Sequence, residues 1–438
     1  MVGFVHAKLK TKEGEKMNQK LKRKSIYSKK NKYEEAGFLP ARNKGMTLVA
    51  LIITIIVLLI LAVVVIGAVT GNKILNYASN ARSQYSGSQI NEHTQLGEYL
   101  EKLDRENSKI NNVARVKDNL NKVLSTSENI VLIDDFGNKI KVPAGFKIIV
   151  DNTTNYTADD IDITKGIVVE DTQLETAGNQ FVWIPVGKIY TDTEKTEENA
   201  KTITLGRYEN FTKTNGEYTV AQNANEYEKI IPINNGSYNY TEYTTPQSNV
   251  IAKNIGEFCT KTNASGGYYI GRYEARVGTE TERKSKNDEL AQVTLKADNY
   301  VYNYVTQPQA SERCQTMYTN KPFESDLANG YAWDTAIIFF QEFGDNAAYA
   351  SKKSVNNYLA VTGTSGTIYT GEVDVICNVY DMGSNCYEWS TETSSFSESP
   401  SNKRGGFCYN ASYYTSIRRS NKTYDAYDNL GFRPVLYM

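Results

Sequence analysis

The sequence predicts an α+β protein, with one membrane-spanning helix and a helical stalk leading into a loop-rich body of short strands and helices. Three observations carry this. Residues 46–70 are an apolar run without a charged side chain, the segment after it keeps helical spacing, and beyond Asn129 short apolar runs alternate with turn residues. At ~1.5 Å per residue the first run is roughly 37 Å long, enough to cross a hydrocarbon core of about 30 Å with some tilt. The residues before it are strongly basic (Lys20, Lys22, Arg23, Lys24, Lys29, Lys30, Lys32, Arg42 and Lys44), and only Lys73 and Arg82 follow closely. That asymmetry keeps the N-terminus cytoplasmic and exports the body. The expected localisation is therefore a single-pass membrane protein whose C-terminal part lies at the cell surface. A secretory signal peptide fits less well, because its apolar core would be shorter.

The stalk is assigned to residues 71–127. Leu96, Tyr99, Leu100 and Leu103 fall at i, i+3, i+4 and i+7, and Ile110, Val113, Val116, Leu120 and Val123 continue an apolar stripe. Gly87 and Gly97 interrupt it, favouring a broken helix or a short helical pair over one rod. From residue 128 to 180 the period changes to that of a β-rich entry region. Val131 to Asp134 and Lys139 to Val142 flank Asp135-Phe136-Gly137-Asn138 and read as a hairpin, with further strands at 146–150 and 166–170. Residues 181–186, FVWIPV, form another strand. The polar stretch 190–249 reads as surface loops with short strands. A buried strand is expected at 267–274 and helices near 309–318 and 332–343. Leu205-Gly206-Arg207-Tyr208-Glu209 is echoed by Ile270-Gly271-Arg272-Tyr273-Glu274, two copies only and so no solenoid.

Composition narrows function. The formal net charge is -1, and the basic leader is explained by topology, so nucleic acid is not an expected partner. The histidines are His6 and His93, both outside the body, which argues against Ser/His/Asp or Cys/His catalysis and histidine-ligated zinc there. Cys259, Cys314, Cys377, Cys386 and Cys408 form an odd set without a CxxC pair. One or two disulfides stay open for an exported chain.

Two resemblances extend this reading. Lys44-Gly45-Met46-Thr47-Leu48 followed at once by the apolar helix resembles the processing site of type IV prepilins and type II secretion pseudopilins. The resemblance implies cleavage by a prepilin peptidase between Gly45 and Met46, methylation of the new N-terminus, a membrane-embedded helix, and pilin or pseudopilin subunits as partners. Ala50 stands where pilins carry the glutamate that pairs with a neighbouring subunit, so processing is better supported than filament assembly. A plain signal anchor accounts for the same lengths and charges.

The second covers residues 181–438. Phe181-Val182-Trp183-Ile184-Pro185, Tyr269 to Glu274, Val305-Thr306 with Ala310 and Cys314, Trp333-Asp334-Thr335-Ala336, residues 381–389 (DMGSNCYEW), Arg404-Gly405-Gly406 and Asn429 to Arg433 occur in order. Together they resemble the formylglycine-generating enzyme, or sulfatase-modifying factor, superfamily, which implies a C-type-lectin-like fold. Read from chemistry alone, Trp183, Trp333 and Trp389 are core anchors, the glycines permit a tight backbone path, and Arg433 bonds loop carbonyls.

The family's copper-binding cysteines fall here on Asn410 and Thr415, with Phe407 at the serine position and Cys408 at the wrong offset. Oxygen donors replace paired thiolates poorly for Cu(I), so neither copper nor an enzymatic role is expected. The resemblance also implies calcium, held by the Asp381 and Glu388 side chains and the Ser384 and Cys386 carbonyls. The competing reading is that Asp381 caps a turn and Glu388 pairs with an arginine. Between the RGG and GFR motifs, Tyr409, Asn410, Tyr413, Tyr414, Tyr424 and Tyr427 have the composition of an adaptable binding surface. The same superfamily displays variable ligand contacts in this stretch. The expected protein is thus a membrane-anchored binding protein, of adhesin or receptor type, for an extracellular protein or glycan. The alternatives are a structural subunit of a pilus or secretion filament and, more remotely, a formylglycine-generating oxidase.

Overall fold

The computed structural model describes residues 54–59, 114–229, 231–242, 253–278, 282–297, 299–353, 374–410 and 412–438. The predicted leader, the Gly45–Met46 junction and most of the apolar run and stalk lie outside these residues. Residues 54–59 are helical, and no helix among the described residues is long and apolar enough to cross a membrane.

The end of the predicted stalk belongs to the body. Residues 114–127 contain a 3₁₀ turn, Lys117–Asn119, rather than a helix. Val116 is buried, and its N–H donates to Ile133 O at 2.9 Å. The apolar stripe read as helical supplies this anchor instead. Strands β1 (Ile130–Ile133) and β2 (Lys139–Val142) form the predicted antiparallel hairpin. Its turn is organised by Asp134, whose Oδ1 accepts the N–H of Phe136 and Asn138 at 3.0 and 2.8 Å.

β3 (Phe146–Ile148), β4 (Val168–Asp171) and β5 (Gln180–Pro185) follow as antiparallel neighbours. β5 is buried from Phe181 to Pro185, so its continuous apolar run marks a strand covered on both faces. β6 (Gly187–Ile189) pairs with β7 (Lys201–Ile203), and β8 (Gly206–Thr214) with β9 (Glu217–Asn223). The β8–β9 hairpin is longer than the short strands expected there. Its outer half is exposed and therefore carries polar residues that mask the strand pattern. β10 (Ile233–Asn235) and β11 (Tyr238–Thr241) form the next hairpin.

Helix α1 (Ile255–Ser265) was not expected. Ile255, Phe258, Cys259 and Thr262 nevertheless lie at i, i+3, i+4 and i+7 and are all buried, Asn254 caps the start, and Gly266 ends it at φ +73°. β12 (Gly267–Gly271) is the predicted buried strand, and β13 (Arg276–Val277) pairs with β14 (Val293–Thr294). Helix α2 (Gln307–Thr316) starts two residues before its predicted bound, with Thr306 and Gln309 forming a capping box. After β15 (Glu324–Leu327) comes α3 (Gly330–Phe343), buried over almost its whole length, which is why its apolar residues show no single face.

The small pair β16 (Val375–Ile376) and β17 (Val379–Tyr380) precedes β18 (Tyr387–Ser394), β19 (Ser401–Arg404), β20 (Arg418–Asn421), β21 (Leu430–Phe432) and β22 (Pro434–Tyr437). One sheet runs β15-β22-β12-β5-β4-β3; the other runs β10-β11-β18-β19-β20, with β21 parallel to β18. The last strands therefore divide between the two sheets. Arg433, the residue between them, is fully buried and donates to Gly271 O at 2.8 Å and Tyr380 O at 2.7 Å. All three tryptophans are fully buried, as expected of anchors. The body is α+β and loop-rich.

Candidate functional site

The C-terminal segment is held by charges that the strand register brings together. Across β18, β19 and β20, Glu388 faces Arg404 and Arg404 faces Arg418; the next row is Trp389, Lys403 and Arg419. Because successive side chains alternate, these rows point to opposite faces. On the first face Arg404 and Arg418 share Asp334 of α3 and Glu392 of β18, and Arg207 of β8 joins Glu392 at 2.8 Å. Burial pushes Glu392 up, but Arg418, Arg404 and Arg207 together outweigh it and hold the carboxyl well below its usual range. Nearby Glu242 behaves oppositely: burial and the Glu392 charge push it up to about 8. It caps α3 through the Gly330 N–H and accepts from Thr391.

The internal echo is explained here. Arg207 and Arg272 are both fully buried and each gathers otherwise distant segments, Arg207 through Ile231 O, Tyr240 O and Glu392, and Arg272 through Gln180, Thr153 and Asn378 O.

The proposed calcium ligands lie close in the chain, and the two side chains among them face other partners. Both oxygens of Glu388 accept from Arg433, whose Nη2 approaches Oε1 to 2.6 Å. Asp381, at φ +62°, accepts the Asp374 N–H through Oδ1 at 3.2 Å. The side chain of Asn385 and the N–H of Cys386 donate to Glu274 at 2.6 and 3.0 Å. Burial, then the charges of Asp381 and Glu388, push Glu274 well above the carboxylate range, and Arg433 opposes them. Glu388 thus pairs with an arginine, and Asp381 closes the β16–β17 hairpin opposite Asp374. Among the described residues no group of three His, Cys, Asp or Glu side chains is placed to hold a metal ion. Ser384 and Cys386 are both buried.

The predicted binding residues divide into three groups. Tyr413 packs against Phe407 and Tyr387 with ring centroids 5.5 and 5.6 Å away, and Tyr409 meets the edge of Phe407 at 6.0 Å. Asn410 accepts the Ser412 N–H at 2.8 Å. Tyr424 and Tyr427 are 65% and 48% exposed, on a turn where Tyr427 donates to Asp425 at 3.0 Å. Tyr414 lines a separate cleft of about 560 Å³ with Phe211, Lys213, Tyr218 and Glu342. Gly405 sets the path into this segment: it has φ +76°, and a Cβ there would lie 2.6 Å from Met382 O.

Thr415, at one position of the family's copper thiolates, is fully buried. Burial pushes Cys408 up to about 12, and all five cysteines are free and buried.

Sequence reasoning missed Tyr387, Phe407, Lys403 and Arg419, which build the wall behind Tyr413. Tyr387 and Phe407 stack at 4.5 Å, Lys403 Nζ lies 4.3 Å from the Tyr387 ring centre, and the Arg419 guanidinium 4.4 Å from that of Tyr413. The available signal was the pair of dibasic dipeptides, Lys403-Arg404 and Arg418-Arg419, bracketing the tyrosine-rich loop.

No family model and no curated protein matches the chain. Among solved structures it is similar to PvdO from Pseudomonas aeruginosa (16% identity over 40% of this chain and 82% of that one, TM-score 0.26). It is also similar to Treponema denticola variable protein 1 (12% identity, 60% and 98%, TM-score 0.31) and the U1 variant of Major Tropism Determinant (11% identity, 73% and 84%, TM-score 0.25). At these identities and TM-scores the likeness transfers no function to this chain.

Proposed function

We propose that this chain is a membrane-anchored extracellular binding protein, of adhesin or receptor type, whose body recognises a protein or glycan without catalysing a reaction. The observation that carries the reading is a rigid frame bearing exposed aromatic residues. Arg404, Arg418, Asp334 and Glu392 fix both ends of the 405–417 loop, while Tyr414, Tyr424 and Tyr427 remain 36%, 65% and 48% exposed. Pre-organised aromatic side chains bind with little loss of conformational entropy. The buried, strongly raised thiols and the lack of histidine beyond His93 favour binding over nucleophilic chemistry. Anchoring and processing rest on the sequence: intact-mass analysis of membrane-extracted protein is expected to give a mature chain beginning at Met46.

The test is adhesion of cells displaying the full chain to immobilised glycans and surface proteins. Tyr413→Ala with Tyr424→Ala is expected to weaken a detected interaction at least tenfold, since interface aromatic residues contribute about 2 kcal/mol or more as hot spots. Unchanged adhesion, with loss on substitution in the 190–242 hairpins, would move the site.

A further inference from the structure

We infer that Lys403 and Arg419 form a subsite for an oxyanion, a carboxylate or sulfate group, of an acidic glycan. Lys403 and Arg419 are direct cross-strand partners on β19 and β20. Like charges directly opposite repel, and folded proteins ordinarily neutralise such a pair. The adjacent row does so: Arg404 and Arg418 share the carboxylates of Asp334 and Glu392. Lys403 and Arg419 make no ion pair among the described residues, although both are half-buried. Burial and then Arg419 push Lys403 down to about 8, with Asp425 the carboxylate that opposes this. Their side-chain contacts are with ring faces and, for Arg419, with the hydroxyls of Tyr413 and of Tyr387, the latter 3.4 Å from Nη1.

Two residues along the strand, alternation puts Asn421 on the same face as Arg419, and its buried Nδ2 has no hydrogen-bond partner. This face therefore presents two cations without a carboxylate partner, beside a buried amide donor that is also unpartnered. Arginine's planar fork suits carboxylate and sulfate oxygens. A saccharide carries such a group on a rigid ring whose hydroxyl oxygens can also accept, whereas the flexible side chains of an acidic peptide must be ordered on binding. This inference rests on the binding reading above and narrows its ligand class.

The experiment is calorimetric titration of the detergent-extracted full chain with 3′-sialyllactose, a sulfated heparin disaccharide, lactose and a tetra-aspartate peptide. One or both acidic sugars are expected to bind and lactose not to. Lys403→Met and Arg419→Gln should each weaken binding at least tenfold, and Lys403→Arg should retain it, with unchanged tryptophan emission reporting an intact fold. No binding by either acidic sugar, equal binding of lactose or of the peptide, or indifference to both substitutions would overturn the subsite. If adhesion still depends on Tyr413 and Tyr424 in that event, the binding reading survives; if neither surface matters, both readings fall.

Discussion

Replacing Lys403 with methionine is expected to stabilise the protein. The side chain keeps its length and loses a charge that is half-buried, unpaired and directly opposite Arg419. Its pKa falls from 10.5 to about 8, through burial and Arg419, against the pull of Asp425. At 1.36 kcal/mol per unit, that difference puts the penalty at about 3 kcal/mol as an upper figure. Losing the cation–π contact with Tyr387 removes about 0.5–1 kcal/mol of compensation, so a net gain of about 1–2 kcal/mol is expected at pH 7. The sign of the pH dependence follows from linkage. Between pH 8 and 10.5 the unfolded chain holds the Lys403 proton and the folded chain does not, so this group's contribution to stability rises with pH across that window. The advantage of Lys403→Met should therefore be full below about pH 8 and shrink toward pH 10.5. Urea unfolding followed by tryptophan emission reports on the body, since Trp183, Trp333 and Trp389 are all buried within it. A variant less stable than the parent at pH 7, or an advantage that grows with pH, would refute the argument that this charge is held at a cost.

Other substitutions probe the frame. Arg418→Met leaves Asp334 short of a partner beside Glu392 and is expected to cost about 3–5 kcal/mol, measured by the same unfolding assay. Gly405→Ala places a Cβ against Met382 O at positive φ and should lower stability by at least about 1–2 kcal/mol, whereas Gly216→Ala, with open space around its Cβ but also at positive φ, should show only the backbone share of that loss. Excess calcium or chelator is expected to leave the melting temperature unchanged if the Arg433–Glu388 pair excludes the ion; a clear rise with calcium would support the metal reading.

Local pattern made much of the body legible. The β1–β2 turn, the β5 strand, the buried strand at β12 and helices α2 and α3 each carry their signal in consecutive residues, through turn chemistry, apolar runs or capping. The roles expected of Arg433 and the tryptophans also follow from residue type, because a large side chain or a guanidinium inside a loop-rich core must bury itself or bind carbonyls. Where the pattern misled, the chain used an amphipathic stripe for something other than a helix, as at Val116, or hid a strand under polar residues, as in β8.

The sequence by itself determined that this protein is α+β, where several of its elements lie, and that its C-terminal stretch is rich in tyrosine between two motifs. Only the tertiary structure decided which of those tyrosines stand together, since Tyr413, Tyr414 and Tyr424 face three different surroundings although Tyr413 and Tyr414 are adjacent in the chain. It also decided which charges are neutralised. Lys403 and Arg404 are neighbours in sequence, yet strand alternation sends one toward aromatic rings and the other toward Asp334 and Glu392. The physical reason is that pairing register joins residues across long loops, a relation that no local run of amino acids encodes.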